Sequence, residues 1–588
     1  MNLKKVFTCI FLFVLLSLCN AETPNEIAAI ADEAAAAENW EKALSTLQDG
    51  IKQFPNDANL LLKLGIIYYD KSLYRPAYKI FKKGLAINKY NTELLFYASN
   101  ASAALNKDEE ALYYIKEYLH FIPDDRYAAS NYGWLCFKCH KTNEGIDYLL
   151  KNIKEYGNHI SVCNSLGTLY SEIFDYANAK KYYTTAIKLA EAGNKKYSAS
   201  IYYYNKAILE SQFYNFQAAL DDAENALKMQ ERNSGYMIIG ELQERKNNFS
   251  EALKAYLSAS NLDDTPLANL SVVNTFLSTG NFENAEKYLL GIIKNTNEAW
   301  ISNYGLSVNE FKSNIYDILK KFYKQKYNFE KTKLTLGFGD WIKTAYTKIN
   351  YRLKYKYYDS VCRVYTLKVA KEYKRHDAYF LADASYSLHI NAFYYIAFKN
   401  KGKKALKYFE CAEKIETEFV PKSAGGYIAE KAIIEKDLNM LNKGISKMDP
   451  VWERQPLTEL YAEGMKIAKN KSLQLYYLYS ESLYEINPAA FLDYDIKLPI
   501  KLNLQNAQNI KIKSKDINSI LHSSRFIIDS NSPFELQIKF TKDILTLKLT
   551  GKNGYHLFTK NFKIEKHDKT NFKKSVNEFV KLLFRVKL

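Results

Sequence analysis

The sequence predicts a mainly α-helical fold: a solenoid of stacked helical pairs, then more degenerate helical pairs, then a small C-terminal α+β domain. Three observations predict it. Small residues recur at a 34-residue step through the first half of the chain. Only 22 Gly and 11 Pro interrupt 588 residues, so long stretches run without the breakers that punctuate an all-β protein. Towards the C-terminus the apolar residues change from helical spacing to strict alternation. A hydrophobic share of 47% with 25% charged residues excludes wholesale disorder or a collagen-like fibre.

Residues 1–21 read as an address rather than as structure. Lys4 and Lys5 precede an apolar run from Val6 to Cys19, too short to span a bilayer comfortably, and Cys19-Asn20-Ala21 forms a small-x-small site. The pattern is that of a secretory signal peptide cleaved after Ala21. A lipoprotein reading would lipidate Cys19, although the bulky Leu18 stands where such sites want a small residue; an uncleaved signal anchor is the third reading. The predicted location is therefore periplasmic or envelope-associated. Seven cysteines are present, two of them in the signal, and the five left are too sparse for a disulfide framework.

The array occupies residues 22–294. Its anchors are Ala43, Ala77, Ala111, Gly145 and Ala179, then Ala219 after a step of 40 caused by a polar insert, then Ala252 and Ala285 at steps of 33. Eight units result. Four residues after each anchor stand Leu47, Phe81, Ile115, Leu149, Tyr183, Ala223, Tyr256 and Leu289. Twelve before it stand Ala31, Gly65, Ser99, Gly133, Gly167, Ala207, Gly240 and Val273, small in all but the last. Three before it an aromatic recurs as Trp40, Tyr74, Tyr176, Phe216, Phe249 and Phe282, replaced by Asp108 and Thr142 in units three and four. Apolar residues at three- and four-residue spacing mark two helices per unit, and small residues belong where helices cross closely. Pro55 and Pro123 close two of the units.

These residues resemble the tetratricopeptide repeat family, whose 34-residue helix-turn-helix signature they follow over about residues 24–294. The resemblance implies a right-handed superhelix that binds partner proteins or peptides on the concave side, along the first helix of each unit. On that face lie Asn59, Leu62, Ile66 and Tyr69, then Phe96 and Asn100, then Tyr127, Ser130 and Trp134, then Asn164 and Thr168. Tyr and Trp there suit the anchoring of a partner peptide. The Lys/Asn/Arg set with which some family members clamp a terminal carboxylate is missing.

Residues 295–490 keep helical patterning without the period. A long helix is predicted from Trp341 through Arg375, rich in Tyr and Lys/Arg, a repeat-like hairpin at Ala405, Phe409 and Ala412, and connections at Pro421 and Pro450. Residues 491–588 read as a small basic α+β domain. A short helix at Asp516 to Leu521 leads into Arg525-Phe526-Ile527-Ile528. Phe534 to Phe540 and Leu545 to Leu549 alternate, Asn553-Gly554 signals a hairpin into Tyr555 to Ile564, and a last helix runs from Asn571 to Phe584. That order of elements is similar to the small N-terminal domain of TolB-type periplasmic proteins.

Cys136-Phe137-Lys138-Cys139-His140 matches the CxxCH pattern of c-type haem attachment, and an envelope enzyme or haem electron carrier is the alternative reading of the chain. Against it, the motif lies inside the fourth unit, where Cys136 falls on the buried face of the first helix and the phase passes through unbroken. The expectation is a protein without catalytic residues, metal or cofactor: no Walker loop, HExxH or GxSxG occurs, and the eight His residues are scattered.

The net charge is +17, and from Ile496 onward 19 Lys and Arg face 7 Asp and Glu. A surface of that sign suits anionic lipid head groups, an acidic cell-wall polymer or an acidic protein. Lys protecting sheet edges explains it equally. Nucleic acid is disfavoured by the signal peptide, and the abundance of Lys, Asn, Ile and Tyr fits an A/T-rich genome. The functional expectation is a non-enzymatic scaffold of the bacterial cell envelope that gathers partner proteins in the groove of the array.

Overall fold

The computed structural model describes residues 23–375 without 264 and 296–307, and residues 413–585 without 415, 506–511, 542 and 565–567, together with 406 and 410. The predicted signal peptide, with Cys19, and the hairpin at Ala405, Phe409 and Ala412 lie outside the described residues. Described residues up to Leu189 form one compact unit and those from Ala190 on form another.

The first unit is built of helical pairs: α1 (Pro24–Ala36) with α2 (Trp40–Gln53), α3 (Ala58–Asp70) with α4 (Tyr74–Ile87), α5 (Thr92–Ala104) with α6 (Asp108–Phe121), α7 (Arg126–Lys138) with α8 (Thr142–Tyr156), and α9 (Ile160–Glu172) with α10 (Tyr176–Ala192), which runs to the boundary. The first helices of four of these five pairs start on side-chain caps; the one at Ile160 does not. Thr23, Asp57, Asn91 and Asp125 each accept from a first-turn N–H of α1, α3, α5 and α7, a contribution of about 1 kcal/mol apiece. The second helices start instead from a tight turn in which one residue is left-handed. These residues are Glu38, Ser72, Asn106, His140 and Phe174, with φ between 55° and 58°. They keep the 34-residue step of the anchors.

Inside each pair the small residue twelve before the anchor meets the bulky one four after it. A Cβ on Gly65 would stand 2.3 Å from the Phe81 ring, on Gly133 2.7 Å from Leu149, and on Gly167 2.6 Å from Tyr183. Such distances are far inside van der Waals contact, so the absent methyl is what lets the helices close. Anchors Ala43, Ala77, Ala111 and Ala179 are fully buried, as expected of residues at helix crossings.

The second unit begins with three more pairs: α11 (Lys196–Gln212) with α12 (Phe216–Met229), α13 (Asn233–Arg245) with α14 (Phe249–Leu262), and α15 (Pro266–Ser278) with α16 (Phe282–Asn295). The same register holds, since a Cβ on Gly240 would lie 2.3 Å from the Tyr256 ring, and Tyr214, Asn247 and Gly280 take the left-handed turn position. Next come α17 (Val308–Lys331) and α18 (Phe338–Arg375), an antiparallel hairpin, in which the helix predicted from Trp341 starts at Phe338. Pro421 opens a 3-10 turn before α19 (Ala424–Glu435), and Pro450 lies in the turn between α20 (Leu438–Ile445) and α21 (Arg454–Ala468); α22 (Leu473–Ile486) and the short α23 (Ala490–Asp493) follow.

A five-stranded sheet ends the chain, in the order β2-β1-β3-β4-β5: β1 (Leu498–Gln505), β2 (Phe526–Ile528), β3 (Glu535–Phe540), β4 (Ile544–Thr550) and β5 (His556–Lys563). β1 runs parallel to β2 and β3, while β3, β4 and β5 form the antiparallel meander. Helices α24 (Ser514–Ser523) and α25 (Lys569–Leu583) complete it. The Asn553-Gly554 turn has both residues left-handed, φ 60° and 76°, as a tight hairpin requires. One strand escapes the sequence reading: β1 holds Pro499, which has no N–H to give and lies where β1 is paired with β2 alone, before the pairing with β3 begins at Lys501.

The sheet and the helices before it share one core. Ala429, Leu441, Met465 and Leu483 of the helices pack in the same cluster as Leu498, Leu536, Leu547, Phe572 and Phe584. Polar ties reinforce it: Asn577 donates 2.8 Å to the Leu334 carbonyl and accepts 3.0 Å from the Leu334 N–H, and Asn328 donates 3.1 Å to the Leu492 carbonyl.

Candidate partner-binding face

The first helix of each pair carries the positions that sequence places on the binding face, at 18, 15, 11 and 8 residues before the anchor. In the first unit they divide by burial. Asn59 is exposed, Tyr127 58% exposed and Trp134 52% exposed, whereas Leu62 is 3% exposed and serves as a packing residue, not a contact for a partner. Ile66, Tyr69, Phe96, Asn100, Ser130, Asn164 and Thr168 are half-buried.

Their neighbours show how each is held. Tyr69 sits edge-on to Tyr74 at 5.4 Å, and Phe96 lies 5.3 Å from Tyr118. Tyr127 meets His159 edge-on at 4.9 Å, and Trp134 stacks on Phe137 at 5.0 Å. Ser130 shares a hydrogen bond of 2.9 Å with Ser165, tying α7 to α9, and Thr168 accepts 3.1 Å from the Tyr183 hydroxyl. Burial raises the Tyr69 hydroxyl above its ordinary value. The rings that stay both exposed and braced, Tyr127 and Trp134, are the ones suited to anchoring.

The same offsets point to residues in the second unit that the sequence reading stops short of. Tyr204, Ser234, Met237, Glu241 and Leu267 stand at those offsets before Ala219, Ala252 and Ala285, and all of them line one open cavity of about 600 Å³. The 40-residue step hides them; carrying the offsets across it finds them. Tyr197, Leu262 and Leu267 on its rim are 57%, 46% and 42% exposed. Arg232, also on the rim, lies over the Tyr197 ring at 4.7 Å, where the guanidinium gains from the ring face. Glu231, Glu241 and Asp263 supply the carboxylates. Burial pushes Glu241 and Glu244 above the usual carboxylate range, Glu241 also by the neighbouring Glu244, while the hydroxyl of Tyr256 donates 2.9 Å to Glu244.

A second polar cavity of about 140 Å³ in this unit is lined by Lys321, Thr458, Glu459, Asp493 and Tyr494 among others. Lys321 acts on both Glu244 and Glu459, lowering each against the larger effect of burial. On α19, Glu430 is pushed up to about 7 by burial first and then by Glu459 and Glu463. Because its folded-state value lies above the ordinary one, the native fold holds this proton more tightly than the unfolded chain does. Stability is therefore highest below the ordinary carboxylate value and declines as pH rises towards about 7. Glu430→Gln is expected to stabilise the second unit by about 2 kcal/mol at about pH 8, an effect that shrinks towards zero near about pH 5. Denaturant titrations at the two pH values check it.

The Cys136-Cys139-His140 motif does not fit a covalently held porphyrin. Cys136 is fully buried and Cys139 is 7% exposed, and a Cβ on Gly145 of α8 would lie 2.8 Å from Cys136 Cβ, so the first thiol sits inside the helix crossing. Burial pushes both thiols up to about 12, which keeps them protonated and unreactive. His140 is the left-handed turn residue of its unit, the counterpart of Ser72 and Asn106. Among the described residues no group of three or more His, Cys, Asp or Glu is placed to hold a metal ion.

Residues 28–91 match the family model of the tetratricopeptide repeat. TPR repeat-containing protein YpiA of Bacillus subtilis is 27% identical over 164 residues, 28% of this chain and 38% of that protein. TPR repeat-containing protein MJ1428 of Methanocaldococcus jannaschii is 21% identical over 272 residues, 43% of this chain and 46% of that protein. The chain thus spans less than half the length of the curated relatives it matches. Among solved structures, a tetratricopeptide repeat protein from Parabacteroides merdae aligns with 43% of this chain and 98% of its own, at 15% identity and a TM-score of 0.38. The family match and the two relatives support tetratricopeptide repeats as the building unit of the array.

Proposed function

We propose that the protein is a non-enzymatic scaffold of the bacterial cell envelope, exported by its N-terminal signal, that binds partner proteins or peptides along the first helices of its pairs. Tetratricopeptide repeats are protein-interaction modules, and the array offers that surface repeatedly on a rigid frame, which keeps the ordering cost of binding low. The observation that carries the reading is the cavity of about 600 Å³ in the second unit, lined by residues at the register positions expected of a binding face. Exposed Tyr197 and Leu267 give it apolar anchors. Glu231 and Asp263 against Arg232 give it the sign for a partner segment carrying Lys or Arg. The basic outer face of the C-terminal sheet, with exposed Lys501, Lys539 and Lys563, is a second surface for an anionic partner in the envelope.

The test is a photo-crosslinking residue in place of Met237 in the full chain, irradiated in intact cells. One or a few discrete adducts are expected, lost when Leu267→Asp is added and when excess Lys-rich peptide competes. No adduct at Met237, or adducts indifferent to Leu267→Asp, would overturn the proposal. N-terminal sequencing of the mature protein, expected to begin at Glu22, tests the export step separately.

A further inference from the structure

Helix α18 is apolar on two opposite faces, and the described residues cover only one of them. The inner face lies on α17: Cys362 and Val369 are 7% and 2% exposed, Tyr365 stacks on Tyr316 at 5.4 Å, Tyr358 on Tyr323 at 5.5 Å, and Thr366 shares a 3.0 Å hydrogen bond with Ser313. On the opposite side Ile342, Tyr346, Ile349, Leu353, Val364 and Leu367 are each between 48% and 73% exposed. At 100° per residue these six fall within a sector of roughly 60°, a straight line about 40 Å long. Isolated exposed apolar residues are ordinary, but Ile342, Tyr346, Ile349 and Leu353 follow one another at three- and four-residue steps, and Val364 and Leu367 resume the line beyond the exposed Ser360; such a run marks a contact surface.

The charges along the stripe say what it contacts. Lys343, Lys354 and Lys368 are exposed along one edge and Arg352, Lys356 and Arg363 along the other. Among the described side chains of α18 the two carboxylates, Asp340 and Asp359, are not exposed; Asp340 accepts from the Leu336 N–H, and Asp359 pairs with Arg363 at 3.0 Å. An apolar stripe between two rows of cations, with Trp341 exposed at its start, is the pattern of a helix lying in the plane of an anionic bilayer surface. A helical protein partner would be met instead by evenly sized aliphatic knobs. No helix among the described residues is long and apolar enough to cross a membrane, so the contact would be in-plane.

We propose that the outer face of α18 is a membrane-surface site that takes anionic phospholipid head groups on its cations and the upper acyl region on its apolar stripe. Since α17 covers the other face, the helix binds without leaving the fold. The proposal goes beyond partner capture by the array and does not depend on it.

Co-sedimentation of the full chain with vesicles of phosphatidylcholine alone, or of phosphatidylcholine mixed with phosphatidylglycerol, tests it. Binding to the mixed vesicles is expected, weakened by salt, with a blue shift of fluorescence that disappears in Trp341→Phe. The exposed pair Ile349→Glu with Leu353→Glu should lower the bound fraction at least tenfold with an unchanged circular dichroism spectrum, and Arg352→Glu with Lys356→Glu should do the same. Lys539→Glu with Lys563→Glu, on the C-terminal sheet, should leave it unchanged. Three results would overturn the proposal: no preference for anionic vesicles, loss of binding only in the C-terminal variant, or a concentration-dependent dimer that the Ile349/Leu353 pair abolishes.

Discussion

Arg525→Ala is expected to destabilise the second unit by about 3–5 kcal/mol, the range for breaking a buried ion pair from one side. Arg525 is fully buried between α24 and β2. One guanidinium nitrogen donates 3.0 Å to Asp495 and another donates to the Asn328 carbonyl at the end of α17. Removing the side chain opens a cavity and takes the donor from a buried carbonyl. Arg525→Met should cost less, about 2–3 kcal/mol, because it refills the volume and Asp495 keeps Lys331 at 2.6 Å, while the Asn328 carbonyl still loses its donor. Urea titration followed by tyrosine and tryptophan fluorescence would check the order, wild type, then Met, then Ala. Equal losses for Met and Ala would mean that the charge, not the volume, holds this junction.

Phe81→Ala is the second large effect, about 3–5 kcal/mol on the first unit. Phe81 is fully buried, with its ring over Gly65 and stacked on Tyr97 at 5.7 Å. The complementary change, Gly65→Ala, should cost about 1–3 kcal/mol through overpacking. The two are coupled: in Phe81→Leu with Gly65→Ala the smaller side chain gives the new methyl room, so the double variant should be more stable than the sum of the single losses allows. Thermal melts of the four proteins close the cycle, and strict additivity would show that the two residues do not share one contact.

The helical pairs were legible because packing within a pair is local. The partner of Gly65 is Phe81, 16 residues on, and the period repeats that relation until it becomes a pattern. His140 is instructive: as a motif it points to haem, and as the position between Asn106 and Phe174 in a 34-residue series it is a turn residue. The series decides, because it ties the residue to a backbone conformation. Less of the second unit could be read. Pro499 disguised β1, and the binding offsets were not carried past the 40-residue step. The partners of Arg525 stand 30 and 197 residues away, where no local spacing reports them. For α18 the helix itself was evident, but two opposed apolar faces cancel in any simple reading of amphipathicity.

The single core that joins the helices of the second unit to the sheet sets a timetable for synthesis. In the unit ending at Leu189 the contacts within each helical pair are local, so they can form while the rest is being made. Its neighbour cannot complete its interior until Phe584 arrives, 250 residues after Leu334 of the same core. At roughly 5–20 residues per second, that leaves Leu334, Leu441 and their surroundings waiting for about ten seconds or more with apolar surface uncovered. A chain cut before β3 would thus be not an intact helical unit lacking a sheet but a half-folded one prone to aggregate.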